Sequence, residues 1–210
     1  MIKVLVADDH AIVRRGLREI LAETADVFVG GEAATLPEVR AKFQGERWDV
    51  VVLDVNMPGG SGIELISELR KLSPSVKVLV LTVYPEEQYA VRAIRAGAAG
   101  FLTKESAPEK LIEAVRKVAG GGKYVSLELA ETLASVVAGE TGSAPHERLS
   151  DREFEVFKLL ARGKTVTQVA QDLGLSVKTV STHRTRLMRK MEMKTNAELT
   201  HYAVKKQIVD

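Results

Sequence analysis

The sequence predicts an α/β domain built on a five-stranded parallel sheet, followed by a small all-helical domain. Three observations carry this expectation. Short apolar runs recur about every 25 residues, at Val4–Ala7, Val27–Val29, Val50–Leu53, Val76–Leu81 and Gly100–Leu102. Segments with helical spacing separate them, and such alternation packs as a parallel sheet covered on both faces. From Leu149 onward the strand-like runs stop and only helical patterns remain.

The chain opens directly into its first strand, Val4–Ala7, and the stripe Val13, Leu17, Ile20 and Leu21 marks the helix after it. Val50–Leu53 has no polar alternation, which fits a strand buried on both faces. The next helical stripe is Ile63, Leu65, Ile66 and Leu69; Val91 and Ile94 mark another, and Leu111, Ile112, Val115 and Val118 a fourth. Thr35-x-x-Glu38, Ser61-x-x-Glu64 and Ser106-x-x-Glu109 read as capping boxes at helix starts. Pro37 and Pro108 fall in first turns, where a missing N–H costs nothing.

A helix is predicted over about Leu127 to Val137, after Gly120-Gly121-Gly122. The stretch from Gly139 to His146 reads as a flexible linker. The expected division is therefore 1–120, a linker with a helix over 121–147, and 148–210. In the last part, Ser150-x-x-Glu153 and Thr165-x-x-Gln168 open helices that stop at Gly163 and Gly174. Ser176 caps a third, about Val177 to Met191, and Thr195-x-x-Glu198 opens the last, about Ala197 to Ile208. The short turn Gly174-Leu175-Ser176 between two helices has helix-turn-helix proportions.

Composition narrows the possibilities. With 210 residues and no Cys, neither a disulfide framework nor a thiolate metal site is available. No apolar run approaches the roughly 20 residues of a membrane span, and the N-terminus lacks signal-peptide layout. A soluble cytoplasmic protein without membrane contact is expected. The net charge of +2 is uneven: from Glu147 on, 13 Lys and Arg stand against 8 Asp and Glu, leaving the preceding residues at −3. A basic C-terminal part points to nucleic acid.

The first strand ends at Asp8-Asp9 and the third at Asp54. Adjacent parallel strands would bring these three carboxylates into one crevice beyond the strand tips, where open α/β sheets bind ligands. Three like charges need a cation, and an all-oxygen cluster suits a hard ion such as Mg²⁺. Thr82 ends the fourth strand and Lys104 follows the fifth, so both point to the same rim. Taken singly, Asp8-Asp9 is a turn, Asp54 a helix cap and Lys104 a surface charge. Together they suit phosphoryl transfer to a carboxylate: Asp54 attacks phosphorus, Mg²⁺ and Lys104 balance charge, and Thr82 hydrogen-bonds a phosphoryl oxygen. His10, His146, His183 and His201 form no metal-ligand spacing. Gly59-Gly60-Ser61-Gly62 lacks the Lys of a P-loop.

Val6-Ala7-Asp8-Asp9-His10, Leu53-Asp54-Val55-Asn56-Met57-Pro58-Gly59, Leu81-Thr82 and Gly100-Phe101-Leu102-Thr103-Lys104 resemble the receiver domain of two-component response regulators. The likeness runs from about Ile2 to Gly120. It implies a flavodoxin-like strand order 2-1-3-4-5, and a sensor histidine kinase that phosphorylates Asp54. It also implies Mg²⁺ held by Asp9, Asp54 and the backbone carbonyl of Asn56, with Asp8 acting largely through water. Phe101 takes the place of the switch aromatic, so phosphorylation would reshape the surface around Thr82, Tyr84 and Phe101. Glu105 follows Lys104 where many receivers carry Pro.

In the helix from Val177, the residues Val180, His183, Leu187 and Met191 share one face. The opposite face carries Lys178, Ser181, Thr182, Thr185, Arg186 and Arg189, with Arg184 at the margin. A cationic, hydroxyl-bearing face suits a DNA major groove. Ser181, Thr182 and Thr185 are expected to meet bases through hydroxyl or methyl groups; Lys178, Arg184, Arg186, Arg189 and Lys190 are expected on phosphates, with Arg186 also long enough for a guanine contact. Thr179 completes the candidate DNA-binding set. Leu149-Ser150-Asp151-Arg152-Glu153, Ser176-Val177-Lys178-Thr179-Val180, Lys190-Met191 and Asn196-Ala197-Glu198-Leu199 resemble the LuxR-type helix-turn-helix. The two halves together are similar to NarL/FixJ-type response regulators. That resemblance implies a phosphorylation-controlled transcription factor that binds double-stranded promoter DNA and forms a homodimer when phosphorylated, with RNA polymerase as a further candidate partner.

Two rival readings differ in class. An aspartyl-phosphate phosphatase or phosphomutase would use a general-acid Asp two residues after the nucleophile, where this chain has Asn56. A binding module with an inert receiver would not need Asp8, Asp9, Thr82 and Lys104 together.

Overall fold

The computed structural model describes residues 1–83, 86–138, 144–206 and 208–209. Tyr84 and linker residues 139–143 lie outside the described residues. The chain forms two compact units, Met1–Ala134 and Ser135–Asp210.

The first unit alternates strand and helix: β1 (Ile2–Ala7), α1 (Ala11–Ala22), β2 (Val27–Ala33), α2 (Leu36–Phe43), β3 (Val50–Leu53), α3 (Gly62–Leu72), β4 (Lys77–Thr82), α4 (Glu86–Ala96), β5 (Gly100–Thr103) and α5 (Ala107–Ala119). The strands are parallel and ordered β2-β1-β3-β4-β5, as expected. Successive side chains on a strand face opposite ways. Val4, Val6, Val50, Val52, Leu79 and Leu81 therefore join one core with Leu17 and Leu21 of α1 and Leu111, Val115 and Val118 of α5. Leu5, Val51, Leu53, Val78, Val80 and Phe101 are buried on the other face, where α2, α3 and α4 pack side by side. Full burial of one such aliphatic side chain contributes about 1.5–3 kcal/mol.

Three details depart from the sequence expectations. β2 continues past Val29 to Ala33, with a register shift opposite Val4 and Leu5. Gly30 and Gly31 allow this, since a Cβ there would come within 3.0 and 2.8 Å of the Trp48 ring, which lies across the strand. Thr35 and Ser61 cap their helices through the amides of Glu38 and Glu64, but Ser106 does not cap α5. Its backbone is already helical (φ −84°, ψ −9°), and its hydroxyl bonds the Thr103 carbonyl instead. Finally, α4 buries Tyr89, Ala90 and Ala93, and leaves Val91 and Ile94 half-buried. The small alanines let the helix approach the sheet more closely than the larger residues would.

After α5 the chain turns through Gly121 at φ +87°. It then returns to the open edge of β5. Tyr124 N–H donates to the Ala99 carbonyl (3.0 Å), and Phe101 N–H donates to the Tyr124 carbonyl (2.9 Å). A Cβ on Gly100 would lie 2.7 Å from the Tyr124 oxygen. The predicted helix α6 follows at Leu127–Ala138.

The second unit is helical: a 3₁₀ turn (Pro145–Arg148), α7 (Asp151–Ala161), α8 (Val166–Leu173), α9 (Val177–Met191) and α10 (Asn196–Lys205). The capping boxes of α7 and α8 are complete, with each side chain bonding the other's amide. At α10 the box is displaced by one residue, because Glu198 accepts from the Lys194 amide. Gly174, at φ +63°, ends α8 with a left-handed residue and starts the turn into α9. Phe154, Phe157, Leu160, Val169, Val180, Leu187, Met191 and Leu199 form the core. α10 closes before the predicted end at Ile208, which folds back and is buried beyond it.

Candidate functional site

Three strand ends deliver the acidic residues. Asp8 follows β1, and its N–H is bonded to the Ala33 carbonyl of β2; Asp54 follows β3, with its N–H bonded to Ala7 of β1. Both carboxylates are buried, at 1% and 3% exposure. Asp8, Asp9, His10 and Asp54 each offer one ligand atom, and these atoms lie within 4.8 Å of one another. The sequence reading placed the three aspartates together and missed His10. Its Nδ1 is 2.7 Å from Asp9 Oδ1 and 3.3 Å from Asp8 Oδ1. An adjacent-residue contact of this kind has no spacing signature.

Lys104, carried by the turn after β5, reaches between the two buried carboxylates. Its Nζ donates to Asp54 Oδ2 at 2.6 Å and stands 2.5 Å from Asp8 Oδ2, an ion pair outside hydrogen-bond geometry. Glu105 after it does not prevent this reach. Burial pushes the Asp54 carboxyl up; hydrogen bonds from Lys104 and from the Asn56 amide oppose it, and the charge of Asp8 adds to it, leaving a net rise. Burial lowers the Lys104 ammonium, but the Asp54 and Asp8 carboxylates outweigh that and raise it. One ammonium thus serves two buried carboxylates, with Asp9 at the rim. Clustered hard oxygen donors with surplus negative charge fit a divalent cation.

Thr82, fully buried at the end of β4, completes the rim. Its Oγ1 accepts a hydrogen bond from Asn56 Nδ2 at 3.2 Å, and the same amide lies 3.4 Å from Asp54 Oδ1. Asn56 N–H donates to that Oδ1 at 2.9 Å. The Asn56 side chain therefore bridges Asp54 and Thr82, a role not read from the sequence. Phe101 is buried at 1% exposure in β5, beside β4. Gly62 holds the loop in place, since a Cβ there would meet the Val55 backbone at 2.5 Å.

In the second unit, α9 presents Lys178, Ser181, Thr182, Thr185, Arg186 and Arg189 to solvent. Thr182, Thr185, Arg186 and Arg189 line one shallow hollow. The other named residues are engaged within the domain. Thr179 Oγ1 shares a 2.8 Å hydrogen bond with Ser176 Oγ. Arg184 Nε and Nη2 both donate to Asn196 Oδ1, at 3.0 and 2.9 Å, tying α9 to α10. Lys190 Nζ donates to Glu153 Oε2 at 2.6 Å, tying α9 to α7. Neither tie has a local sequence signal, because the partners are 12 and 37 residues away.

Comparison with known proteins decides the family. Residues 4–116 match the response regulator receiver domain, and residues 147–203 match the luxR family of bacterial regulatory proteins. The chain is a response regulator of the NarL/FixJ type. This response regulator is 34% identical over 206 residues to response regulator UvrY of Escherichia coli K12, covering 98% of this chain and 94% of that one. It is 37% identical over 215 residues to the oxygen regulatory protein NreC of Staphylococcus carnosus, covering 99% of each. Among solved structures it resembles RcsB of Salmonella enterica serovar Typhimurium bound to promoter P1flhDC with the phosphomimetic BeF3⁻. There the TM-score is 0.70 at 29% identity, covering 96% of this chain and 97% of that one. It is thus a receiver domain joined to a LuxR-type DNA-binding domain, and a regulator of transcription. No helix among the described residues is long and apolar enough to cross a membrane.

Proposed function

We propose that Asp54 is the phosphoacceptor of this response regulator and that a sensor histidine kinase is the donor. The observation that carries the reading is the buried Asp54 carboxylate, with Lys104 on one oxygen and the Asn56–Thr82 pair beside the other. An Asp54 oxygen attacks the phosphorus of the phosphohistidine. The P–N bond breaks, and its electron pair returns to the imidazole. Lys104 then compensates the added charge, and the Thr82 hydroxyl donates to a phosphoryl oxygen. Asp8, Asp9, Asp54 and the Asn56 carbonyl would hold Mg²⁺, which when bound supplies charge neutralisation at the phosphoryl group. The receiver's catalysis is confined to gaining and losing its own phosphoryl group.

Functional boundaries are assigned at 1–120 for the receiver, 121–147 for the connection and 148–210 for the DNA-binding domain. In the last, α9 enters the major groove of promoter DNA. Arg186 and Arg189, with Lys178, provide phosphate contacts; Ser181, Thr182 and Thr185 face the bases. Thr179 contributes by closing the N-cap of α9 with Ser176, Arg184 and Lys190 by fixing α9 on its neighbours, and Arg184 keeps further donors for a phosphate. RcsB, bound to promoter DNA with a phosphomimetic and as dimers on DNA, supports a phosphorylated homodimer as the active form; we place its action in the cytoplasm, with RNA polymerase as a further candidate partner.

Incubation with acetyl phosphate and Mg²⁺ tests the assignment. Wild-type protein should be labelled, and Asp54→Asn should not. Beryllofluoride should raise promoter affinity only in the wild type. Undiminished labelling of Asp54→Asn would overturn the assignment.

A further inference from the structure

The two threonines at the middle of the exposed α9 face are alike in one respect. Thr182 Oγ1 donates to the Lys178 carbonyl, and Thr185 Oγ1 donates to the Ser181 carbonyl, both at 3.0 Å. Each hydroxyl is spent on the carbonyl four residues earlier, a bond open to Thr in helices. The Cβ of threonine carries one hydroxyl and one methyl. With the hydroxyl turned onto the helix backbone, the methyl is left to face outward. Both side chains are exposed, and both line the hollow shared with Arg186 and Arg189. The helix therefore shows two methyl groups flanked by two guanidinium groups.

That surface has a specific complement. In the major groove only thymine offers a methyl group, at C5, among the four natural bases. The guanidinium groups match the phosphates that border the groove. Residues three apart are separated by about 4.5 Å along a helix axis, against about 3.4 Å between successive bases of a strand. Two methyl groups at this spacing meet neighbouring base pairs.

We propose that Thr182 and Thr185 read DNA through their methyl groups, and that this protein selects sites with thymine methyls on neighbouring base pairs opposite them. The inference rests on α9 being the helix in the major groove. It assigns the specificity to apolar contact, with the threonine hydroxyls closing the helix backbone. Ser181, exposed and with its hydroxyl unbonded among the described residues, remains the polar reader beside them.

The test uses the full chain with Mg²⁺ and beryllofluoride, and a duplex recovered from a random pool by binding selection. Thr→Val keeps the methyl and deletes the hydroxyl; Thr→Ser does the reverse. At both 182 and 185, Thr→Val should bind the selected duplex like wild type, and Thr→Ser should bind about fourfold more weakly, the loss of one buried methyl contact. Replacing the contacted thymines by uracil removes the methyl from the DNA side. It should weaken wild type and the Val variants by about fourfold per base, and leave each Ser variant unchanged at the thymine opposite its substituted residue while still weakening it at the other. Replacing uracil by 5-methylcytosine, paired with guanine, should recover part of the loss. Full binding by Thr→Ser with loss in Thr→Val, or indifference to uracil, would overturn the proposal while α9 remains the reader. If Arg189→Ala and every threonine variant bind the selected duplex like wild type, α9 is not in the groove, and the underlying reading fails first.

Discussion

Lys104 Nζ stands 2.6 Å from Asp54 Oδ2 and within 2.5 Å of Asp8 Oδ2, so one ammonium group spans the two buried carboxylates of the receiver. The residue is a counter-ion to both carboxylates, and under the proposed phosphotransfer it stands beside the incoming phosphoryl group.

Lys104→Gln should slow labelling of Asp54 by acetyl phosphate by roughly 10²-fold, the usual cost of deleting one stabilising donor at a developing anion. Initial rates at saturating Mg²⁺ check this. An unchanged rate would remove Lys104 from phosphoryl transfer and leave it a counter-ion only.

Glu153 and Lys190 should govern the acid stability of the DNA-binding unit. Burial alone would raise the Glu153 carboxyl, but hydrogen bonds from Lys190 and the Ser150 amide outweigh it and hold the group below 4.5. Its folded pKa is thus below its unfolded one. The stability it contributes is complete above about 4.5 and fades as the pH falls through the folded value. Lys190→Met should cost about 1–3 kcal/mol at pH 7 and flatten this acid limb. Urea melts between pH 3 and 7 would show it, and a variant with the wild-type pH profile would contradict the pairing.

Arg189→Ala should weaken binding to all duplexes and lower the salt slope of log K by about one. Lys190→Met, whose ammonium is held by Glu153, should change the slope less. Equal slope changes for the two variants, from affinity titrations over a salt series, would show that Lys190 leaves Glu153 for a phosphate on DNA.

Gly62→Ala should destabilise the receiver. The added Cβ would sit 2.5 Å from the Val55 Cα and carbonyl oxygen, which are backbone atoms and cannot swing aside. Overpacking of this kind costs about 1–3 kcal/mol. Thermal unfolding measures it, and a melting temperature equal to that of wild type would show that the loop after Asp54 yields freely.

What the sequence disclosed and what it withheld follow a physical division. Val50–Leu53 was readable because burial on both faces forbids polar residues along the whole strand. Asp54, Thr82 and Lys104 were readable because strand tips in a parallel sheet converge. The glycine pair Gly30-Gly31 hid the second half of β2, since their reason is Trp48, which arrives from 17 residues further on. The bridge from Asn56 to Thr82, and the ties from Arg184 to Asn196 and Lys190 to Glu153, are long-range side-chain choices without periodicity. Ser106 shows the opposite failure: the capping pattern was present, but the backbone at that residue was already helical.

Tyr124 carries a mechanical consequence. Its amide and carbonyl are pinned to Ala99 and Phe101 on the free edge of β5, and Ser126 caps the Leu129 amide just beyond. The chain therefore leaves the receiver as an extra rung of the sheet, with no slack between the strand bearing Phe101 and the root of α6. Hydrogen bonds weaken steeply when stretched or bent, so any shift of the β5 backbone must either carry the start of α6 with it or break that rung. The rung also occupies an edge that would otherwise be open to a foreign strand.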